Sequence, residues 1–187
     1  MFISKQRTTI LDSQTIDGVT FGDKVIIEPN AVIYENCEIG ENCVIGAGAV
    51  LRPYTKILNN TIFGTLSVSE GYNIIGNYTT IHAQCHLTQG MSIGNEVFIA
   101  PFFIASNTPE ITVGRHGTSP DEKPFILYGV IEDNVRIGIN VSVVPGIRIG
   151  HDSLIYQNTL ITKDIEPYSI IKAGTDMVGR KIGEIEH

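Results

Sequence analysis

Residues 39–51 read IGENCVIGAGAVL, and a bulky aliphatic residue returns in this stretch every six positions. The same spacing runs in one phase over residues 21–99, where Ser69 is its only polar occupant, and it resumes over residues 131–161. An amphipathic strand alternates with period two and a helix repeats near 3.6, so a strict period of six fits neither. The pattern therefore predicts a solenoid of short strands joined by tight corners.

The other positions of the repeat agree with this prediction. A small residue recurs four positions after each aliphatic residue, and glycine often follows the aliphatic residue directly. Large side chains would fill the interior, small ones would fit near the corners, and glycine would permit the turns. Three of these small positions hold Cys37, Cys43 and Cys85, which we interpret as core packing rather than as redox-active or nucleophilic thiols.

The composition excludes several classes of protein. The chain has 30 Ile and 14 Val against 8 Leu and 7 Ala, which excludes a helical bundle. Hydrophobic residues make up 42% and charged residues 18%, which excludes a disordered chain. The net charge of −7 argues against a nucleic-acid or anionic-membrane partner. No signal-peptide or membrane-spanning run is found, and three cysteines cannot all pair, so a cytoplasmic protein is expected.

Residues 39–51 and 131–170 resemble the hexapeptide-repeat acyltransferases, and most of all their sugar and nucleotide-amino-sugar acetyltransferases. The resemblance implies an all-β fold, the left-handed parallel β-helix, in which three hexads form one triangular coil and residues 18 apart stack. The hexads amount to roughly six to seven coils. The pattern is weakest over residues 58–74, which predicts a bulged coil there.

A single domain is expected, with hexads over 21–104 and 131–166, an inserted loop at 105–130 and a C-terminal segment at 167–187. The loop is rich in polar and turn-forming residues, and a loop this long is uncommon in a solenoid unless it is functional. In the resembled family such a loop reaches the neighbouring subunit of a homotrimer. There it helps to build the acceptor site at the subunit interface.

The candidate acceptor site lies beside this loop. His82 and His86 precede the last hexad before the loop by one coil, so we expect both to point outward on one face, near Gln84 and the loop residue His116. Acyl transfer from a thioester needs a nucleophile, a base and hydrogen-bond donors for the oxyanion, and histidine titrates near neutrality. The resemblance implies His116 as the base. His82, or no dedicated base for an amine nucleophile, are the alternatives.

The substrate-binding candidates follow from the same resemblance. Gln84 and His82 stand where the family has two asparagines, one of which helps to hold the acceptor sugar, and His86 lies beside them. Asn107 stands where related nucleotide-sugar N-acetyltransferases carry an asparagine at the loop entrance. Asn107 could equally be a turn-forming residue.

The segment 160–170, LITKDIEPYSI, resembles the ending of many coenzyme A-using members, which implies acetyl-CoA as the acyl donor. The chain departs from that family where YQN replaces a GAG segment, at residues 156–158, and where GTDMVGR closes the repeat, at 174–180. The cofactor-binding candidates are Gly138, Gln157, Thr162, Lys163 and Arg180.

The leading hypothesis is an acetyl-CoA-dependent acetyltransferase that acts on a sugar, in particular on the amine of a nucleotide-linked amino deoxysugar. O-acetylation of a sugar is the alternative within this class. A γ-type carbonic anhydrase would instead bind zinc through His82, His86 and His116, although that family orders its histidines differently. A non-catalytic scaffold is disfavoured by the long polar loop, no metal is expected, and His151 is given no role.

Overall fold

The computed structural model describes residues 1–12, 14–109 and 128–173, together with the backbone of 180–181. Within these residues the chain forms three sheets and no helix, so none of the described segments could cross a membrane as a helix. The sheets are the faces of a triangular prism. Each coil visits face 1, then face 2, then face 3, and the corners are called 1–2, 2–3 and 3–1 accordingly.

The strands are short, most of them two residues long, and are numbered in chain order. Face 1 contains β3 (Gln14–Ile16), β4 (Val19–Phe21), β7 (Glu38–Ile39), β10 (Lys56–Ile57), β13 (Ile74–Ile75), β16 (Ser92–Ile93), β19 (Val130–Ile131) and β22 (Arg148–Ile149). Face 2 contains β2 (Thr8–Ile10), β5 (Val25–Ile27), β8 (Val44–Ile45), β11 (Ile62–Phe63), β14 (Thr80–Ile81), β17 (Phe98–Ile99), β20 (Arg136–Ile137), β23 (Leu154–Ile155), β25 (Ser169–Ile171) and β26 (Arg180–Lys181). Face 3 contains β1 (Phe2–Ile3), β6 (Val32–Ile33), β9 (Val50–Leu51), β12 (Val68–Ser69), β15 (His86–Leu87), β18 (Ile104–Ala105), β21 (Ser142–Val143) and β24 (Leu160–Ile161).

The strands stack in the register that the sequence predicts. Val68 pairs in parallel with Val50 below it and with His86 above it, and all parallel pairs from β4 to β18 join residues 18 apart. Face 3 contains seven parallel strands, so the solenoid has about seven coils. The predicted left-handed parallel β-helix is confirmed.

The core is built from the two inward positions of each hexad. All 20 positions of the aliphatic ladder are at most 6% exposed, and the small residues four positions later are buried as well. The residue just before each small one has a positive φ in most corners, for example 61° at Asn36 and 54° at Asn42. Asparagine is the non-glycine residue that adopts this left-handed conformation most readily, which explains its recurrence at the corners.

The bulge that the sequence predicts over residues 58–74 is wrong, because the register stays at 18 through this coil. The polar residue in the aliphatic position, Ser69, is satisfied inside the core. Its hydroxyl lies 2.8 Å from that of Thr55 and accepts a hydrogen bond of 2.8 Å from the Asn73 amide. A polar network thus replaces the aliphatic contact without disturbing the backbone.

Antiparallel strands flank the parallel coils at both ends. Near the N-terminus β1, β2 and β3 pair antiparallel with β6, β5 and β4, one on each face. Towards the C-terminus the parallel ladder continues past residue 166, through β25, and β26 pairs antiparallel with β25.

The insertion interrupts one coil at the 3–1 corner. The chain leaves face 3 after Ala105 and re-enters face 1 at Val130. Ser92 pairs with Val130, so this coil has 38 residues where the regular coils have 18. Residues 110–127 of the insertion lie outside the described part of the chain.

Candidate functional site

The sequence-predicted site residues with described side chains surround face 3. His86 lies on the face itself, and the others lie at the two corners that bound it. On face 3 the strands β15, β18, β21 and β24 are consecutive neighbours, so the distance from β15 to β24 is about 14 Å at the usual strand spacing. The 2–3 corner holds His82, Gln84, Gly138 and Gln157, and the 3–1 corner holds Asn107, Thr162 and Lys163.

His86 lies directly beneath the strand from which the insertion departs. It pairs with Ile104 of the last strand before the insertion, and its side chain is half-exposed. Its Nε2 lies 3.4 Å from Oε1 of Glu70, which stands one coil below at the 3–1 corner. A carboxylate at this distance restricts the orientation of the imidazole ring. Sequence reasoning missed Glu70. Glu70 directly follows Ser69, and Ser69 stacks beneath Leu87, the neighbour of His86, so the 18-residue register could have indicated it.

His82 does not share a face with His86, contrary to expectation. It follows β14 of face 2, whereas His86 begins β15 of face 3, because one hexad spans a corner. The ring of His82 is exposed, as expected, and packs edge-on against Phe98 with 5.0 Å between centroids. Gln84 lies between the two histidines in the left-handed conformation, with φ 58°, and is exposed.

The described start of the insertion is held at the 3–1 corner. The Ser106 hydroxyl donates to the Val143 carbonyl at 3.3 Å, and half-buried Asn107 accepts a hydrogen bond of 3.2 Å from the Thr108 hydroxyl. Asn107 therefore lies at the loop entrance, as expected. His116 lies outside the described residues, so its role stays a prediction.

The donor-side candidates lie in the upper coils. Thr162, Lys163 and Gln157 are exposed. Gly138 lies directly beneath Gln157, and an ideal Cβ on Gly138 would come within 2.6 Å of the Gln157 nitrogen, so the stacking itself requires this glycine. Arg180 belongs to β26, where its backbone pairs with Ile170.

Between these corners the outward residues Ile104, Ser142 and Leu160 of face 3 form a strip that is apolar except for Ser142, with a cation at each side. Ile104 and Leu160 point outward and are 50% and 58% exposed. Lys163 lies at one side of the strip, and Lys172 lies at the other, with its ammonium 5.3 Å from the centre of the Tyr156 ring. Sequence reasoning missed Lys172, since only the fold brings it back beside β24. An apolar strip that ends between lysines suits a thioester arm attached to phosphates.

A histidine–aspartate pair that sequence reasoning left without a role occupies the 1–2 corner of the same upper coil. Nδ1 of His151 lies 2.7 Å from Oδ2 of Asp152, and the amide of Asn134, one coil below, donates to the same carboxylate. The hydrogen bond from His151 holds the pKa of Asp152 below its usual range, and Asn134 adds to this effect. The signal in the sequence was an HD dipeptide that stacks on an asparagine 18 residues earlier.

The three cysteines are buried in the core, in agreement with their predicted packing role. Loss of hydration on burial raises the pKa of all three thiols, that of Cys43 to about 11. Such thiols are poor nucleophiles near neutral pH.

The described residues contain no group of three or more histidine, cysteine, aspartate or glutamate side chains placed to hold a metal ion. Of the three histidines in the zinc hypothesis, His82 and His86 lie on different faces, and His116 is not among the described residues.

Comparison with known proteins agrees with the solenoid. The bacterial transferase hexapeptide model (six repeats) matches residues 18–53 and 128–163, the coils on either side of the insertion. The chain belongs to the hexapeptide-repeat acyltransferase family. Both matched segments carry the six-residue aliphatic spacing without a polar occupant.

Two curated relatives are similar to this chain. The bifunctional protein GlmU of Methanococcus maripaludis is 35% identical over an alignment of 190 positions, which covers 94% of this chain and 43% of that protein. The galactoside O-acetyltransferase of Lactococcus lactis is 37% identical over 115 residues, which cover 57% of this chain and 52% of that protein. The chain thus spans about half or less of the length of these relatives.

Two solved structures share the fold. The UDP-N-acetylglucosamine acyltransferase of Campylobacter jejuni superposes with a TM-score of 0.56 at 16% identity, covering 88% of this chain and 71% of that one. The N-acyltransferase AntD of Bacillus cereus, solved with dTDP and 3-hydroxybutyryl-CoA, superposes with a TM-score of 0.52 at 16% identity, covering 84% and 79%.

Proposed function

We propose that this protein transfers an acetyl group from acetyl-CoA to a sugar, in particular to the amine of a nucleotide-linked amino deoxysugar. The observation that carries the proposal is the arrangement of face 3. A strip that is apolar except for Ser142 leads from Lys163 and Lys172 down to His86 and the start of the insertion. One relative named above is a galactoside O-acetyltransferase, and the N-acyltransferase AntD was solved with dTDP and 3-hydroxybutyryl-CoA.

The chemistry assigns a task to each part of this face. Lys163 and Thr162 would hold the phosphates of the donor, and the strip would hold its pantetheine arm, so that the thioester lies near β15. The nucleophile of the acceptor would attack the thioester carbonyl, and the thiolate of coenzyme A would leave. His116 or His82 would take the proton of the nucleophile, and Gln84, His86 and Asn107 would position the sugar.

The acceptor hydroxyl of a sugar is the second candidate. The galactoside O-acetyltransferase relative supports it, because that enzyme is named for O-acetylation and is 37% identical over 57% of this chain. A hydroxyl needs a base for attack, whereas a neutral amine is already nucleophilic. The two acceptors therefore differ in how strongly their acetylation depends on a histidine.

We further propose that the protein works as a homotrimer whose subunits meet at the 2–3 corner. Exposed Leu66, Phe102 and Ile139 project from this corner. The outward positions of faces 2 and 3 are mostly aliphatic or aromatic, whereas those of face 1 include Glu38 and Lys56, which form an exposed ion pair. Apolar surface on two adjoining faces fits burial against copies of the same chain.

The proposal is tested by release of free thiol from acetyl-CoA with nucleotide-linked amino sugars and with simple sugars as acceptors. We expect turnover with the amino sugars. Lys163→Ala should raise KM for acetyl-CoA about 10-fold, the loss of one phosphate contact, with little change in kcat. Lys24→Ala, at an exposed corner near the other end of the prism, is the matched control. Absence of turnover with every acceptor would contradict the proposal.

The choice of base is tested in the same assay. His116→Ala should lower kcat by about 10²–10⁴-fold if His116 is the base, and His82→Ala should do so if His82 is. Full activity of both variants would leave these two histidines without a catalytic role.

A further inference from the structure

Tyrosine is concentrated at the 3–1 corner, the corner from which the insertion departs. Four of the seven tyrosines of the chain, Tyr34, Tyr54, Tyr72 and Tyr128, lie there. Tyr54 and Tyr72 stack on each other, with 4.7 Å between their ring centroids and an angle of 22° between their planes, and they are 49% and 56% exposed. We call this pair the tyrosine stack. None of the functional assignments above uses it.

The backbone holds the tyrosine stack in place. Tyr54 and Tyr72 both adopt the left-handed conformation, with φ 63° and 56°, and the Tyr72 N–H donates to the Pro53 carbonyl at 3.1 Å. The Thr55 hydroxyl donates to the Arg52 carbonyl at 2.7 Å. Exposed rings on a corner that is tied down in this way are pre-organised for a ligand, because binding does not have to order the backbone.

A cation without an ion-pair partner lies beside the tyrosine stack. Arg52 is exposed and stands two residues before Tyr54, on the side of the corner that adjoins face 3. Glu70 lies one coil above Arg52, but its carboxylate pairs with His86 in the next coil. Arg52 forms no ion pair with any residue that the structure describes. In a protein of net charge −7, this guanidinium is therefore available to an anion.

An aromatic pair next to an available guanidinium fits a nucleotide. Each ring covers one face of the other, and neither stacks on a further ring among the described residues, so a planar base can extend the pair. A guanidinium binds phosphate through paired N–H donors. A neutral sugar would use the rings alone, and inorganic phosphate would use the arginine alone. The combination of the two favours a nucleoside phosphate.

The position of the tyrosine stack suits the acceptor rather than the donor. In the proposed function the donor occupies the upper coils of face 3, so the acceptor must approach the thioester near β15 from the coils below. Tyr72 and Tyr54 follow β12 and β9, which lie about 5 and 10 Å below β15 at the usual strand spacing. A ligand that runs from His86 across the corner meets Arg52 before Tyr54. This is the order of phosphate and base in a sugar nucleotide, counted from the sugar.

We propose that the tyrosine stack and Arg52 form a subsite for the nucleotide of the acceptor, in which the base stacks on the tyrosines and Arg52 binds the phosphates. The inference rests on the proposed function and deepens it, because it assigns a site to the part of the acceptor that does not react. No bond forms or breaks at this subsite. It holds the nucleotide so that the amine of the attached sugar reaches the thioester.

Binding of nucleotides to the whole protein tests the subsite without relying on catalysis. We expect isothermal titration calorimetry to show binding of dTDP and of UDP in the presence of saturating acetyl-CoA, which fills the donor site. Thymidine and inorganic pyrophosphate should each bind at least about 10-fold more weakly than dTDP, because each lacks one half of the contacts. Loss of dTDP binding on addition of acetyl-CoA, or pyrophosphate binding as tight as that of dTDP, would overturn the inference.

The contribution of the arginine is tested by Arg52→Ala. This variant should bind dTDP about 10-fold more weakly and should bind thymidine as the wild-type protein does, since thymidine has no phosphate. Lys24→Ala removes a positive charge from an exposed position of the 1–2 corner and should leave dTDP binding unchanged. Equal weakening in the two variants would show a general effect of charge and would overturn the assignment of Arg52.

The contribution of the rings is tested by Tyr54→Leu/Tyr72→Leu. This variant should bind both dTDP and thymidine about 10-fold more weakly, whereas Tyr54→Phe/Tyr72→Phe keeps the rings and should bind like the wild-type protein. Tyr78→Leu, which changes an exposed tyrosine with the same left-handed conformation at the 1–2 corner, is the matched control. If the phenylalanine variant binds as weakly as the leucine variant, the rings do not stack on the base.

Steady-state kinetics show whether the bound nucleotide belongs to the acceptor. With a dTDP-linked amino sugar, Arg52→Ala and Tyr54→Leu/Tyr72→Leu should raise KM for the acceptor about 10-fold, and they should leave kcat and KM for acetyl-CoA near the wild-type values. A merely structural defect would lower kcat as well. Amino sugars without a nucleotide should be acetylated equally by the wild-type protein and both variants.

The outcomes separate this inference from the proposed function. Nucleotide binding that weakens in the variants as expected, without turnover of any acceptor, would support the subsite and contradict the acetyltransferase proposal. Turnover of nucleotide-linked amino sugars with an acceptor KM that the variants leave unchanged would contradict only the subsite. A wild-type protein that binds neither dTDP nor UDP would also overturn the subsite.

Discussion

The ring of Tyr128 lies against the backbone of Gly90, in the place that a Cβ on Gly90 would occupy. Gly90 is the left-handed residue of its corner, with φ +80°, and Tyr128 is the first residue after 110–127 that the structure describes. The returning arm of the insertion is therefore seated on a glycine of the coil below, with half of the Tyr128 side chain exposed.

Gly90→Ala should therefore destabilise the protein in two ways. The left-handed conformation costs alanine about 1–2 kcal/mol, and the new methyl group must also displace Tyr128. Gly48→Ala is the control, since its φ is +64° but its Cβ would meet only the flexible end of Leu66. Chemical denaturation should show the larger loss for Gly90→Ala. The loss in Gly90→Ala/Tyr128→Ala should be smaller than the sum of the single losses, and strict additivity would contradict the seating of the ring.

The polar network around Ser69 in the core should contribute more to the free energy of unfolding than any one of its hydrogen bonds does. Ser69→Ala leaves the buried groups of Thr55 and Asn73 each short of one partner, which should lower the free energy of unfolding by about 1–3 kcal/mol. Ser142→Ala, at an outward position of the same face, should change it by less than about 0.5 kcal/mol. Equal effects of the two substitutions in urea denaturation would contradict this account.

The buried thiols should make the protein less stable in alkali. The folded-state pKa of Cys43 is raised to about 11, whereas an exposed thiol titrates near 8.5. The contribution of the Cys43 thiol to stability is therefore complete at a pH below its unfolded-state pKa, and it is lost as the pH rises through its folded-state pKa. Stability should fall between about pH 8.5 and 11, and less steeply in Cys43→Ala. Parallel curves for the two proteins would show that this thiol does not titrate on unfolding.

The 2–3 corner should carry the subunit contact. Phe102→Asp introduces a charge at this corner and should convert the proposed trimer into monomers, as measured by analytical ultracentrifugation. Tyr78→Asp changes an exposed aromatic residue of the same left-handed type at the 1–2 corner, and it should leave the assembly intact. If instead Tyr78→Asp dissociates the protein, the contact lies on another edge.

Much of the fold could be predicted from the sequence, because a period of six has one physical interpretation. Each aliphatic residue of the ladder had to point inward, and all of them do. The error over residues 58–74 has a clear cause. Ser69 was judged by its own polarity, and the partners that satisfy it, Thr55 and Asn73, became visible only when the chain was folded.

The candidate site was less predictable. Stacking by 18 placed His86 beneath the last strand before the insertion, as it is, but it could not show that His82 lies around a corner. Nor could it indicate Glu70, Lys172 or the pairing of His151 with Asp152. These contacts depend on the direction in which each side chain leaves its corner.

The sequence alone determined the solenoid, its register and the place of the insertion, since these follow from a repeat that each hexad expresses locally. The tertiary structure decided which polar groups meet across coils. Two polar side chains form a hydrogen bond only when the fold brings them within about 3 Å of each other, and this is a property of positions in space. His151 was an ordinary corner residue in the sequence, and the folded chain gives it a partner.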